Sequence, residues 1–324
     1  MSNTINKTST DALSVTMQEY YDRKLIHDMA PKLVHYQFGQ KRPLPKNNGK
    51  TIRFRKWTPF AAITDPLTEG VVPAGQNLAM TEVYAEIAAY GDYVAVTDML
   101  DLTALDPVIN DSVELMANQA GLSIDALTRD ELLTGTNVQY AGGKTARSAI
   151  TTGDVLTTTE IRKAVRTLRK NKAKPFEHDG GSHFIAIVSP DALYDLQNDA
   201  LWQDVAKYQD AEAIYSGEIG RMFGVRFVET TEAGVFKGAG ASGADVLATL
   251  VFGADAYGVV EIEGSGATNA NTIVKPAGSA GSADPLNQIS TVGWKVAGYA
   301  AKILQPSWMV RIEHGASDAV TTAG

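Results

Sequence analysis

Residues 106–135 constrain this chain more than any other stretch. They read as one uninterrupted helix of about 28 residues, roughly 42 Å long at the usual rise, against an average of ~11–12 residues. Pro107 suits the first turn, where its missing N–H is not needed. Asp106 before it is placed as N-cap, and Asp111 and Glu114 set negative charge near the positive end of the helix. Val113, Met116, Ala120, Ile124 and Leu127 recur in steps of three and four and make one apolar stripe. Gly135 ends the helix as a residue that accepts the left-handed conformation, and Gly121 is a weak point inside it. Such an element is either the core helix of an ordinary α/β domain or a spine from which separate parts of a flat subunit hang. The flanking sequence decides between them.

With 324 residues the chain has room for large cores and two domains. It contains no cysteine, which excludes disulfides, thiolate metal sites and cysteine nucleophiles. The polar start is not a secretory signal, and no run approaches the ~18 apolar residues of a membrane span. The net charge of −8 disfavours a dedicated nucleic-acid binder. Charge is unevenly placed. Residues 1–56 carry eleven Lys/Arg against four Asp/Glu, whereas residues 57–128 carry no Lys or Arg against eleven Asp/Glu. Adjacent tracts of opposite sign pair within a subunit or between neighbours, or are simply two solvated faces.

The order of parts follows from the periodicities. Residues 1–50 read as an arm, with a helical patch over residues 17–29 and a Pro/Gly-rich run at 39–49 that argues against regular structure. Residues 51–57 alternate cleanly, Ile52 and Phe54 on one face, Arg53 and Arg55 on the other. A second strand-like run, residues 80–96, puts Val83, Ala85, Ile87 and Ala89 on one face. Between the two lies a long acidic insert, residues 61–79, rich in Pro and Gly, which is uncommon in a compact domain and is either a lid or a flap laid on a neighbour.

Beyond the long helix, residues 157–174 form a second helix capped by Thr157, Thr158 or Thr159. Ile161, Ala164, Val165 and Leu168 face inward, and Arg162, Lys163, Arg166, Arg169, Lys170, Lys172 and Lys174 form a basic face, read as solvated in preference to a contact with nucleic acid. Residues 184–188 read as a strand buried on both faces, followed by a helix with Ser189 as cap and Pro190 in its first turn. Strands follow at 225–230 and 246–252, and residues 264–284 read as a mobile surface loop. The chain closes with a long strand pattern, Trp294, Val296, Gly298 and Ala300 facing one way and Lys295, Ala297, Tyr299 and Ala301 the other, which would run alongside the long helix. Pro306 then marks a bend, and a last alternating run reaches Glu313.

Catalytic patterns are missing. Gly142-Gly143-Lys144-Thr145 lacks the earlier glycine of a phosphate loop, since Val138 occupies that position. The five histidines, His27, His35, His178, His183 and His314, are scattered without ligand spacing. Asp98 and Asp101 sit where capping or solvated carboxylates are expected, and no serine-hydrolase elbow is present. No catalytic residue, metal ligand or cofactor is assigned.

Three segments carry a resemblance: residues 183–193 (strand, Ser189-Pro190, helix), residues 220–230 (Gly220-Arg221-Met222-Phe223-Gly224 and a hydrophobic strand), and Val292-Gly293-Trp294-Lys295. In this order, downstream of the hairpin and the long helix, they resemble the major capsid proteins of tailed bacteriophages. The resemblance implies an α+β, Hong Kong 97-like capsid fold. Its parts are an N-terminal arm (1–50), an extended hairpin loop (51–98), a peripheral domain with the spine helix (99–150), an apical domain (151–291), and a peripheral return strand with a C-terminal tail (292–324).

It also implies self-assembly into pentamers and hexamers that close an icosahedral head around double-stranded DNA, held through non-specific contacts. Scaffolding, portal and cement proteins are candidate partners, and no membrane is one. The place implied is the virion capsid, assembled in the bacterial host cytoplasm. Arg53, Arg55, Asp65, Glu69, Glu82 and Glu86 are the inter-subunit contact candidates. There is no Lys between Trp57 and Gly143, so the Lys–Asn cross-link of some relatives is not expected in the hairpin, and no long scaffolding extension is expected before it. Two other readings are a cellular shell of the encapsulin type with the same fold, and an α/β enzyme with residues 61–79 as its lid.

Overall fold

The computed structural model describes residues 25, 29, 32–43, 50–57, 60, 62–64, 66, 69–70, 72, 75–103, 108–178, 181–206, 221–262, 270–279 and 284–317. Asp106, Pro107, Asp65 and most of the helical patch at 17–29 lie outside them; of that patch Leu25 and Met29 are described, both helical and both buried.

After β1 (Gln40–Arg42) the chain forms β2 (Thr51–Trp57), β3 (Met80–Glu86), β4 (Ala88–Thr97), the short helix α1 (Asp98–Thr103) and the long helix α2 (Val108–Leu132). Then come β5 (Val138–Tyr140), α3 (Thr158–Lys170), β6 (Phe176–His178), β7 (Gly181–Val188), α4 (Pro190–Gln197) and α5 (Ala200–Ala206). The rest is strand: β8 (Arg221–Met222), β9 (Val225–Glu229), β10 (Gly234–Phe236), β11 (Val246–Phe252), β12 (Tyr257–Val260), β13 (Ala270–Lys275), β14 (Ile289–Tyr299), β15 (Ala301–Ile303) and β16 (Met309–His314).

The central sheet runs β5-β16-β11-β7-β9-β8, with β10 and β6 attached to β11 and β7. It divides two apolar cores because successive side chains of a strand point to opposite faces. Phe184, Ala186 and Val188 of β7, Val225 and Phe227 of β9, and Val251 of β11 pack under α3, α4 and α5. Ile185 and Ile187 of β7, Leu250 and Phe252 of β11, and Met309 of β16 face the other core, which holds α2, β12, β14 and the arm residues Leu25, Met29, Leu33 and Tyr36. Every residue of β11 and β16 is buried, so the alternation expected at the C-terminus resolves into a strand covered on both faces. Buried charges there are paired. Glu313 accepts from Arg147 Nε and Nη2 at 2.8 and 2.7 Å and from Arg311 Nε at 2.8 Å, and Arg311 also donates to the Leu133 carbonyl at the end of α2.

The long helix has the expected stripe, with Val113, Met116, Ala120 and Ile124 buried. Its two glycines differ from expectation. Gly135 is not left-handed; the chain leaves α2 through tightened turns at Leu132–Gly135, and an added Cβ at Gly135 would lie 2.6 Å from Met309 Cε. Gly121 marks where the arm crosses: its missing Cβ would lie 2.9 Å from Lys32 Cβ and 3.0 Å from the Met29 carbonyl oxygen. The return strand does run along the helix, with Trp294 Nε1 donating to Gln119 Oε1 at 3.1 Å and Tyr299 hydroxyl meeting Thr128 Oγ1. A bulge between Val296 and Tyr299 turns Tyr299 inward, away from the face that strict alternation assigns it.

Three further expectations change. The run 80–96 is two strands broken at Ile87: β3 pairs with β2, and β4 leaves to pair with β14, so Ala89 is exposed. Residues 264–284 contain β13, which pairs with β14 through Ala270–Lys275 and buries Ala270 and Thr272; its polar composition hid a half-buried strand. At α3 the capping oxygen comes from far away. Thr157 makes no side-chain cap, and Asp199 Oδ2 takes the backbone N–H and hydroxyl of Thr158 at 2.9 and 2.7 Å. The Ser189 cap and Pro190 of α4 are as expected, Ser189 Oγ accepting from Ala192 N at 3.2 Å.

Two outcomes are expected. Gly121→Ala should destabilise by about 1 kcal/mol or more, although the helix propensity of alanine alone favours it by about 1 kcal/mol; a midpoint rising in denaturant titration would overturn the crossing. His314, buried at the end of β16, donates from Nδ1 to the Gly315 carbonyl at 2.7 Å and accepts at Nε2 from Thr249 at 2.9 Å. Burial pushes its pKa down to about 4. The unfolded chain therefore binds the extra proton, and stability should fall as pH drops from about 6.5 to about 4, by up to about 3 kcal/mol. His314→Gln should flatten that part of the stability–pH curve.

Candidate functional site

The strands β2 and β3 pair from Thr51 opposite Glu86 to Trp57 opposite Met80. One face of this ladder is apolar and holds Ile52, Phe54 and Ala85, all buried. Phe54 lies in the space a side chain at Gly258 of β12 would need, which fastens the root of the hairpin to the body. The opposite face carries Arg53, Arg55, Glu82, Tyr84 and Glu86. Four of the six charged contact candidates thus share one exposed face. Arg55 Nε lies 3.3 Å from Glu82 Oε1, Tyr84 donates to Glu82 Oε2 at 2.6 Å, and the Arg53 guanidinium sits 5.5 Å from the Tyr84 ring. The Tyr84 hydroxyl bond, with Arg55 and Arg53 nearby, holds the Glu82 carboxyl below its usual range, and the same bond raises the Tyr84 phenol. Arg55 and Glu82 therefore already satisfy one another inside the subunit, as an exposed pair that solvent screens. Glu69 stands apart in a turn of the insert, exposed. Asp65 is outside the described residues.

The insert's apolar side chains carry a stronger signal than its charges. Val72 is 90 % exposed, Ile63 77 % and Leu78 72 %, and Phe60 and Met80 on either side of the insert are exposed too. None belongs to either core. Single exposed apolar residues are ordinary, but several on one protruding element mark a surface that another protein covers.

The anchor of the arm escaped the sequence reading. Asp125, fully buried on α2, accepts from His35 N and His35 Nδ1 at 2.6 Å each and from Tyr36 N at 3.3 Å. Tyr257 of β12 donates to the His35 carbonyl, and the Tyr36 hydroxyl accepts from Ile262 N at 3.1 Å. Burial raises the phenols of Tyr257 and Tyr299, so both stay neutral donors. A signal was present: Asp125 lies next to Ile124 and one turn after Gly121, on the buried side of the helix, where a carboxylate needs partners. Of the histidines, His35 and His314 are buried in these separate networks, and among the described residues no group of three or more His, Asp or Glu could hold a metal ion.

Comparison with known proteins assigns the class. A search of curated proteins finds no match. Among solved structures, the capsid of Ralstonia phage GP4 superposes with a TM-score of 0.68 at 15 % identity, covering 87 % of this chain and 88 % of that one. The capsid of cyanophage P-SCSP1u follows at 0.65 and 15 %, covering 88 % and 89 %, and the head of Helicobacter pylori bacteriophage KHP40 at 0.60 and 13 %, covering 85 % and 88 %. The fold is therefore the α+β, Hong Kong 97-like fold of tailed-phage capsid subunits. The family model described as "Phage capsid protein" matches residues 80–312, more than two thirds of the chain, and the chain belongs to that family.

Asp125→Ala should cost about 3–5 kcal/mol, because it leaves the His35 ring and two backbone N–H groups buried without their acceptor. Denaturant unfolding of the full chain measures this, and a loss under about 1 kcal/mol would show that the arm is held by apolar contact alone.

Proposed function

We propose that this chain is the major capsid protein of a tailed phage, a structural rather than catalytic subunit. Pentamers and hexamers of it close an icosahedral head around double-stranded DNA, assembled in the bacterial host cytoplasm. The observation that carries this reading is the hairpin, whose insert exposes Ile63, Val72 and Leu78 outside both cores of a subunit with a capsid fold. A subunit that ended its life as a monomer would bury these side chains or replace them. Residues 1–50 serve as arm, 51–98 as extended hairpin, 99–150 and 292–324 as peripheral domain and 151–291 as apical domain. The central sheet, which takes β5 and β16 from the first group and β7, β9 and β11 from the second, is the seam between them. Self-association is the partnership the fold supports; scaffolding, portal and cement proteins are further partners in this proposal.

The exposed face with Arg53, Arg55, Glu82 and Glu86, and the insert with Glu69 and Asp65, lie against a neighbouring subunit. The apolar side chains supply affinity, and the charges set register and salt sensitivity. Purified protein should give closed shells of uniform size by negative-stain electron microscopy. A monomer or dimer that never assembles would return the insert to the role of a lid, and shells filled with a protein cargo would point to a cellular compartment. Glu69→Lys with Asp65→Lys should slow assembly at low salt, with the difference from wild type shrinking above about 0.5 M salt as the charges are screened. Val72→Ser with Leu78→Ser should weaken assembly at every salt concentration.

A further inference from the structure

The exposed side of α3 is a concentrated positive surface on an acidic chain, and neither the two cores nor the β2–β3 hairpin uses it. Arg162, Arg166 and Arg169 follow one another at helical spacing over about 10 Å of helix, all exposed. The β8–β9 hairpin abuts the patch. Its two-residue turn, Phe223 and Gly224, has φ of 53° and 77°. The Arg162 guanidinium lies 5.4 Å from the Phe223 ring, and Arg169 Nη2 lies 3.2 Å from where a Gly224 Cβ would be. The turn therefore lies against the helix between those two arginines. Arg221 and Arg226 stand directly opposite each other across the same hairpin. They lie on the face of the hairpin opposite Met222 and Val225, which pack toward α3, so the patch is carried by the helix arginines and the turn alone. Among the described residues, Arg166 and Arg169 make no ion pair, while Lys163 at the first turn is satisfied by Glu160 at 2.7 Å.

We infer that the α3 face and the β8–β9 turn form a contact surface for the phosphate backbone of double-stranded DNA, independent of base sequence. The inference rests on the reading of this chain as a shell around DNA. The residue type supports a phosphate partner, since guanidinium forks match phosphate oxygens in pairs. A duplex presents one charge per about 1.7 Å of axis, so a patch this long faces about six phosphates. An overall charge of −8 does not conflict with this, because a local contact needs only local charge. The acidic residues of a second copy's hairpin are the competing occupant.

The test is the affinity of full-length protein for a random-sequence DNA duplex, read by fluorescence anisotropy over a salt series, with assembly of the same preparations followed by electron microscopy. Arg162→Gln/Arg166→Gln/Arg169→Gln should bind more than about tenfold more weakly at low salt. Its plot of log affinity against log salt should be shallower by about 2–3, as expected for about three lost phosphate contacts. Lys275→Gln/Lys295→Gln, which removes two charges elsewhere, should bind as wild type does. If the triple variant is destabilised in thermal melts, the three single variants carry the test, each expected to lose about two- to fivefold. Unchanged DNA affinity in the triple variant overturns the inference, and so does an equal loss in the lysine control. Failed assembly with intact DNA affinity assigns the face to a neighbour's hairpin instead. Wild type that binds DNA through these arginines yet never closes shells would leave the contact standing and remove the shell reading.

Discussion

One buried carboxylate organises the body of this subunit. Asp125 sits on the inward side of the long helix and accepts two backbone N–H groups and a ring nitrogen from the arm. An acceptor removed from water must be repaid by donors, and these donors come from His35 and Tyr36, far away in sequence. Around them Tyr257 ties β12 to the arm, and Tyr299 ties the return strand to Thr128. Arm, spine helix, β12 and β14 are thus joined at one dry point. Apolar packing of Leu25, Met29 and Leu33 alone would leave the arm free to slide along the helix, whereas hydrogen bonds to a fixed carboxylate set its position.

The second constraint is the central sheet. Because β7, β11 and β16 are covered on both faces, the two cores share one wall, and a displacement on one side is felt on the other. Arg147, Arg311 and Glu313 close the seam where the spine helix ends, with Arg147 stacked 3.5 Å from the Phe236 ring centre. The hairpin contrasts with this rigid body. It is rooted by Phe54 against Gly258, and the described residues between 60 and 81 are all exposed. The body is thus stiff, and the hairpin is rooted in it but largely uncovered in its described residues.

Much of this was legible in the residues. Periodicity located the long helix, the hairpin strands, the buried strand at β7 with its Ser-Pro helix start, and the basic face of α3. Charge counting separated the basic arm from the acidic tract. The misreadings share a cause. Gly121 looked like a flaw and is a crossing point. Gly135 looked like a left-handed cap and is a close contact with Met309. Residues 264–284 looked like loop and contain β13. In each case the property that mattered was a neighbour distant in sequence, which local propensity does not report. The split of residues 80–96 into β3 and β4 is of the same kind: the two halves read as one strand, and their different partners separate them.

The sequence by itself determined where the long helix, the α3 helix and the strongly patterned strands lie, which of their faces are apolar, that the arm and the following tract carry opposite charge, and the family likeness, because these depend on side-chain chemistry at short spacing. Tertiary structure alone decided how those segments meet: that Asp125 receives the arm, that Tyr299 turns inward at a bulge, that Asp199 rather than a threonine caps α3, and that Arg55 is already paired with Glu82. Each of these is a hydrogen bond or a close approach between residues brought together by packing, and its energy depends on burial that no local pattern encodes.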